Sequence, residues 1–219
     1  MERRSALKNM GLAFGYAVAT PTLLGILQGC EKKPNYAEWI PSFFEKDKGY
    51  ALAQTLDVIL PKTDTPSATE MNVHVFIDAF INEVFPKEQQ DFVKMKMDRF
   101  YDKVLADSGK ETLMDVKAED IEPTLKAYLL KRSDEEEEAQ IESINSYMEA
   151  VMQGGEAALD DDVARFSFAT DLRNIAIWAY KSSEYIGEEV LAYAPIPGEY
   201  IACGDVDTLT GGKDWSPFY

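Results

Sequence analysis

The stretch DDDVARFSFATDLRNIAIWAYK, residues 160–181, decides the fold class. Its apolar residues Val163, Phe166, Ala169, Leu172, Ala176, Ala179 and Tyr180 recur every three or four positions, which lays them along one face of an α-helix. Asp160, Asp161 and Asp162 stand in front of them, where carboxylates meet the orphan N–H groups and the positive end of the helix dipole. The spacing predicts the longest helix of the chain here. Working back toward the N-terminus, Ser133-Asp134-Glu135-Glu136 is a capping box opening a helix through Ile141, Ile144, Tyr147, Met148 and Val151 to Gly154-Gly155. Another helix is expected around Ile121 to Lys131. One from Lys87 to Asp107 turns Phe92, Met95, Phe100, Val104 and Leu105 inward and is closed by Ser108-Gly109. An apolar stripe runs through Val75, Phe76, Ala79, Phe80 and Phe85 and stops at Pro86. A first helix begins near Lys48, with Leu52, Leu56, Ile59 and Leu60 on one face, and ends at Pro61. Between these two, Lys62 to Ser67 reads as a turn held by its own side chains, with Thr63, Asp64 and Thr65 at its centre.

Downstream of residues 160–181 the period weakens past Tyr185. From Tyr193 onward prolines and glycines accumulate with no alternation, which reads as an extended tail. No internal repeat appears, and no run is long enough to seed a sheet. The expectation is an all-α protein: a single compact helical domain of about six helices over residues 48–219, ending in a tail rich in proline, glycine and aromatics.

The N-terminal residues 1–29 follow another logic. Arg3-Arg4-Ser5-Ala6-Leu7-Lys8 resembles the twin-arginine export pattern, with Ala6 where an aromatic is usual. A mostly apolar run from Gly11 to Leu27 follows, shorter than the roughly 20 residues a bilayer demands and interrupted by Pro21. Leu27-Gln28-Gly29-Cys30 resembles a lipobox, in which the cysteine is lipidated and becomes the new N-terminus. We therefore expect a signal peptide over 1–29, a linker from the lipid anchor over 30–47, and the helical domain beyond it. A buried amphipathic helix that ends in Gly-Cys is the competing reading.

Charge narrows the function. The chain carries 22 Lys and Arg against 39 Asp and Glu. Removal of residues 1–29 takes away Arg3, Arg4, Lys8 and Glu2, leaving 190 residues and a net charge of about −19. Such a surface argues against nucleic acid, whose binding depends on cations that release phosphate counterions. It also argues against a basic patch on anionic lipid, so membrane attachment falls to the acyl chains on Cys30, each buried methylene contributing about 0.8 kcal/mol. With Cys30 lipidated, Cys203 has no partner in its own chain: a free thiol, a bridge to another chain, or a buried unreactive thiol.

Chemistry is sparse. His74 is the single histidine, so histidine-rich metal sites are excluded and a Ser-His-Asp triad lacks a recognisable nucleophile. A surface or capping place is expected for it. No Gly-x-Gly-x-x-Gly follows a strand, which leaves no visible dinucleotide or FAD site. The runs Glu135–Glu138 and Asp160–Asp162 lack the ligand alternation of calcium loops and read as helix caps. We expect no catalytic, cofactor or metal residue in this chain. Arg173 and Lys181, among apolar neighbours on the last helix, either pair with an acid of this chain or reach a partner carboxylate.

Three stretches carry a family resemblance: Ile59-Leu60-Pro61-Lys62-Thr63-Asp64-Thr65-Pro66-Ser67-Ala68 followed by His74-Val75-Phe76-Ile77-Asp78; Tyr193-Ala194-Pro195-Ile196-Pro197-Gly198-Glu199-Tyr200-Ile201-Ala202-Cys203; and Gly211-Gly212-Lys213-Asp214-Trp215-Ser216. Together with the leader they resemble the gluconate 2-dehydrogenase subunit 3 family, with Ser67 where glycine is usual. The resemblance implies a non-catalytic small subunit whose large GMC-type partner holds FAD, often beside a cytochrome subunit, and which escorts that partner through export. Tyr193, Pro195, Pro197, Tyr200, Cys203 and Trp215 are then the expected partner interface: prolines restrict the segment before docking and aromatics anchor it. The same aromatics could instead wrap this chain's own core. The alternative function is a stand-alone ligand-binding lipoprotein, its tail lining a cleft for a cationic or polyhydroxylated ligand.

Overall fold

Asp160 caps its helix as the sequence expects: its carboxylate accepts from the amides of Asp162 at 2.8 Å and Val163 at 3.3 Å. The computed structural model describes residues 36, 38–196, 198, 201 and 203–217. Arg3 and Arg4 of the expected export signal, Cys30, the expected lipidation residue, and Pro197 and Tyr200 of the expected interface lie outside the described residues. The helices belong to one compact unit, Glu38–Tyr219.

In order, they are α1 (Lys46–Ile59), α2 (Val73–Val84), α3 (Lys87–Ser108), α4 (Ala118–Leu129), α5 (Asp134–Met152), α6 (Asp161–Lys181) and the short α7 (Val206–Thr210). The chain is all-α, with six helices of twelve residues or more among the described residues. At 21 residues α6 is one shorter than α3, so it is not the longest. The Ser133 box forms, with Ser133 N–H donating to Glu136 at 2.9 Å and the Glu136 amide to Ser133 Oγ at 3.2 Å. Left-handed Gly109 closes α3.

Helix α6 packs against each of α1 to α5. Its small buried residues Ala164, Ala169, Ala176 and Ala179 let those neighbours approach, while Phe168 and Leu172 fill the space between them. Around them sit Leu52, Leu56, Ile77, Met97, Phe100, Val104 and Ile121, all fully buried. Each such side chain contributes about 1.5–3 kcal/mol. Tyr101 is buried with its hydroxyl 2.9 Å from Thr55 Oγ1, and burial pushes its phenol well above the usual range.

Two expected stripes are corrected. On α2 the residues facing the core are Val73, His74, Ile77, Asp78 and Ile81, whereas Val75, Phe76 and Ala79 are exposed. The helix is apolar on two sides, and the two buried polar residues make its true inner face look the weaker. On α5 only Gln140 is buried and Ile141 is exposed, so this helix lies as an outer layer over α6 and α3, where Tyr147 stacks on Phe92 at 5.4 Å.

Asp78 explains how the inner face of α2 is used. Its carboxylate, on a residue only 2% exposed, accepts from three successive amides: Ser42 at 2.6 Å, Phe43 at 3.1 Å and Phe44 at 3.0 Å. This grip holds residues 42–44, within the expected linker, against the helices. Pro41 also packs there, so close to α1 that a Cβ on Gly49 would fall 2.4 Å from Pro41 Cγ. Only glycine fits at position 49.

Candidate functional site

The tail leaves the helical core and returns to it. Beyond α6, a π-helical turn at Tyr185–Val190 leads to Ala192, which pairs with the returning segment: its N–H donates to Asp214 O and its carbonyl accepts from Ser216 N–H, both at 2.9 Å. Ser216 is buried over Gly187, where a Cβ would press to 3.0 Å of the Lys181 carbonyl. Lys181 forms an ion pair with Asp214, and Lys213 Nζ donates to Glu189 O at 3.4 Å. The expected tail is thus a closed excursion with α7 inside it, capped by Asp205 and ended by left-handed Gly211.

Along that excursion apolar side chains face solvent: Tyr193, Ile196, Ile201, Val206, Leu209 and Trp215, with Ile196 88% exposed. Pro195 and Cys203 are exposed as well, and Cys203 is a free thiol, which removes the buried reading. The structure therefore brings Tyr193 and Trp215 to the base of one loop, beside the Ala192 bridge, and puts Pro195 and Cys203 along it. Of the two α6 cations singled out in the sequence, Lys181 pairs within the chain, and Arg173 contacts Asn174 at 3.4 Å.

A second exposed surface has no counterpart among the sequence expectations. Phe76, 41% exposed, and Phe80 from α2 meet Trp178 of α6, 44% exposed, with ring centroids 5.4 Å apart in both pairs. Phe80 also stacks with Phe76 and touches Phe85 edge-on. Val75, Val84 and Ile177 extend the exposed apolar area. The signal is present in α2, which is apolar on more of its circumference than a helix with one core face needs.

Between α1, α2, α3 and α6, partly covered by α5, lies a cleft of about 490 Å³. Its wall is apolar, with Ile77, Ile81, Phe92, Met97, Leu172 and Ile175 among the lining residues, and Lys96 is its cation. This lining does not suit the cationic or polyhydroxylated ligand of the alternative reading, and the tail takes no part in it. Among the described residues, no group of three or more His, Cys, Asp or Glu side chains is placed to hold a metal, and no helix is long and apolar enough to cross a membrane.

Around the turn between α1 and α2, side chains act as fasteners. The Asp57 carboxylate accepts from the Thr69 amide at 2.9 Å and the Thr69 hydroxyl at 2.7 Å, and Tyr180 OH donates to Pro66 O at 2.6 Å. Thr63 and Thr65 close their own turn, Thr63 N–H donating to Thr65 O at 3.0 Å, while Asp64 is exposed. His74 is 1% exposed, contrary to the surface place expected for it, with Trp39 edge-on at 4.8 Å. Burial lowers its pKa to about 4 against the pull of Asp57 and Asp78, so the imidazole is neutral at pH 7.

Residues 46–198 match the model of the family described as gluconate 2-dehydrogenase subunit 3. The chain belongs to that family. The match opens at the first residue of α1 and ends at Gly198, so the six long helices lie inside the subunit 3 region while α7 and the returning segment Asp214–Ser216 lie beyond it. Comparison with curated proteins and with solved structures gave no match. As its description states, subunit 3 is one component of a dehydrogenase assembly.

Proposed function

We propose that this subunit 3 is the non-catalytic small subunit of a membrane-associated, flavin-dependent sugar or alcohol dehydrogenase. In this reading a large GMC-type subunit holds FAD and oxidises the substrate, and a cytochrome subunit takes the electrons. The small subunit supplies the export signal through Arg3 and Arg4, anchors the assembly through lipid on Cys30, and stabilises its folded partner on the way out. The assembly faces the periplasm.

The observation that carries the reading is the pair of exposed aromatic surfaces on a chain whose family is defined as a subunit. A large apolar side chain left in solvent forgoes about 1.5–3 kcal/mol that burial would return. Phe76, Phe80 and Trp178 form one surface, and Tyr193, Ile196 and Trp215 belong to the other. Their exposed aromatic side chains suit docking to the catalytic subunit.

An affinity pull-down from the native host, followed by mass spectrometry and a flavin absorbance scan, tests this. A large flavoprotein should co-purify, and replacing Phe76 and Trp178 by serine should release it while leaving the free chain folded. A colourless monomer with no partner would sink the proposal, as would a chain that binds FAD on its own.

A further inference from the structure

We infer that the cleft between α1, α2, α3 and α6 is a binding site for a neutral, largely apolar small molecule bearing a carbonyl oxygen, with the Lys96 ammonium as hydrogen-bond donor. Protein interiors are packed like organic crystals, so a space of about 490 Å³ walled by Ile77, Ile81, Phe92, Met97, Leu172 and Ile175 is no ordinary packing gap. It falls within the size range of small-molecule sites, which in helical proteins form between helices. Water gains little there, because the wall offers it few polar partners. The rim residues Gln89, Asp171 and Asn174 are exposed, which gives the cleft a mouth.

Lys96 sets the ligand chemistry. The residue is only 4% exposed, and its ammonium donates to Asp171 Oδ2 at 2.5 Å and Ser167 Oγ at 3.0 Å, with the Phe92 ring centroid 4.3 Å away. An ammonium has three N–H bonds, and two of them are spoken for. The third has no hydrogen-bond acceptor beside the face of the Phe92 ring, which also walls the cleft, and a neutral acceptor oxygen entering there would take it. An anion would meet the Asp171 carboxylate at the same point, and the Lys96–Asp171 pair already cancels its own charge. A plain hydrocarbon would fill the volume and leave that donor with only the Phe92 ring. The apolar wall selects the body of the ligand, and Lys96 selects its oxygen.

The test uses the full chain with the neutral fluorophore N-phenyl-1-naphthylamine as reporter. Three displacers share one chain length and differ in their heads: 2-undecanone, undecane and undecanoate. Displacement by the ketone should need about tenfold less ligand than either of the others. Lys96→Met should erase that preference while retaining reporter binding. Met148→Trp, on the outer helix α5, should fill the cleft and abolish ketone displacement, with an unchanged helical circular dichroism spectrum. Because residues 1–35 are common to all variants, the difference between them isolates the cleft. Failure of the ketone to displace the reporter overturns the inference, as does equal displacement in wild type and Met148→Trp. A stronger effect of undecanoate, or an intact ketone preference in Lys96→Met, overturns the role given to the ammonium. Loss of the co-purifying subunit in Met148→Trp, with no small-molecule binding in wild type, would overturn it too and make the cleft a socket for a protein side chain.

Discussion

On its inner face α2 turns Val73, Ile77 and Ile81 into the core beside buried His74 and Asp78; on its outer face Val75, Phe76 and Val84 meet solvent. The two faces share a composition and differ in what holds them. Inside, Asp78 supplies three amide hydrogen bonds and thereby fixes which stripe points inward. Outside, three aromatic rings lean on one another across α2 and α6, with Phe76 and Trp178 open to solvent and Phe80 half-buried between them. Hydrophobicity by itself assigns neither face. The polar residue that can be satisfied only at one site breaks the tie.

The sharpest way to break that contrast is Asp78→Ala, which removes the acceptor from the buried Phe44 amide and from the part-buried amides of Ser42 and Phe43. It should cost about 3 kcal/mol in urea unfolding, since an orphaned buried donor costs about 1–3 kcal/mol and the part-buried ones less. A loss below about 1 kcal/mol would mean water reaches the strap and the grip is incidental. Ile77→Ala should cost about 3 kcal/mol through the cavity it leaves, whereas Phe76→Ser on the outer face should cost the free chain less than about 1 kcal/mol. Equal losses at the two positions would erase the distinction between the faces.

The pH dependence probes the inner face alone. His74 has a folded pKa of about 4 against an ordinary 6.5, so between those values the unfolded chain binds more protons. Stability should therefore fall as pH drops through 6.5 toward 4, by on the order of 3 kcal/mol, with the loss complete below 4. Urea midpoints at several pH values for wild type and His74→Gln measure it; parallel curves would remove His74 as the cause. The smallest effect belongs to the tail. Lys181→Met breaks an exposed ion pair with Asp214 and should leave the urea midpoint nearly unchanged. It should nonetheless quicken proteolysis within residues 193–213, because the Ala192 pairing would then hold the returning segment with less help.

Helix positions are legible in the sequence because their punctuation is local: Pro61, Pro86, the Ser133 box, Asp160 and Gly109 act on neighbouring backbone whatever the tertiary surroundings. The inner face of α2 is not, since Asp78 is explained only by amides 34 to 36 residues away. His74 misleads for the same reason: a single imidazole beside a polar loop reads as surface until Trp39 is folded over it. The outer α5 shows apolar residues from Ile141 to Val151 in the sequence, yet such spacing says nothing about which helices already fill the centre. Of the expected interface, Tyr193 and Trp215 stand out by residue type, and their placement at the base of one loop depends on the Ala192 bridge, which no local pattern announces.

The Asp78 grip also acts as a mechanical terminus. A pull arriving from residues upstream of Trp39 is taken up by the hydrogen bonds that the Ser42, Phe43 and Phe44 amides donate to Asp78 and by the wedge of Pro41 against Gly49. The load passes into the middle of α2 and, through Gly49, into the first turn of α1. The leading chain can then be lengthened, shortened or tugged by whatever holds its far end, and the helices behind it keep their register.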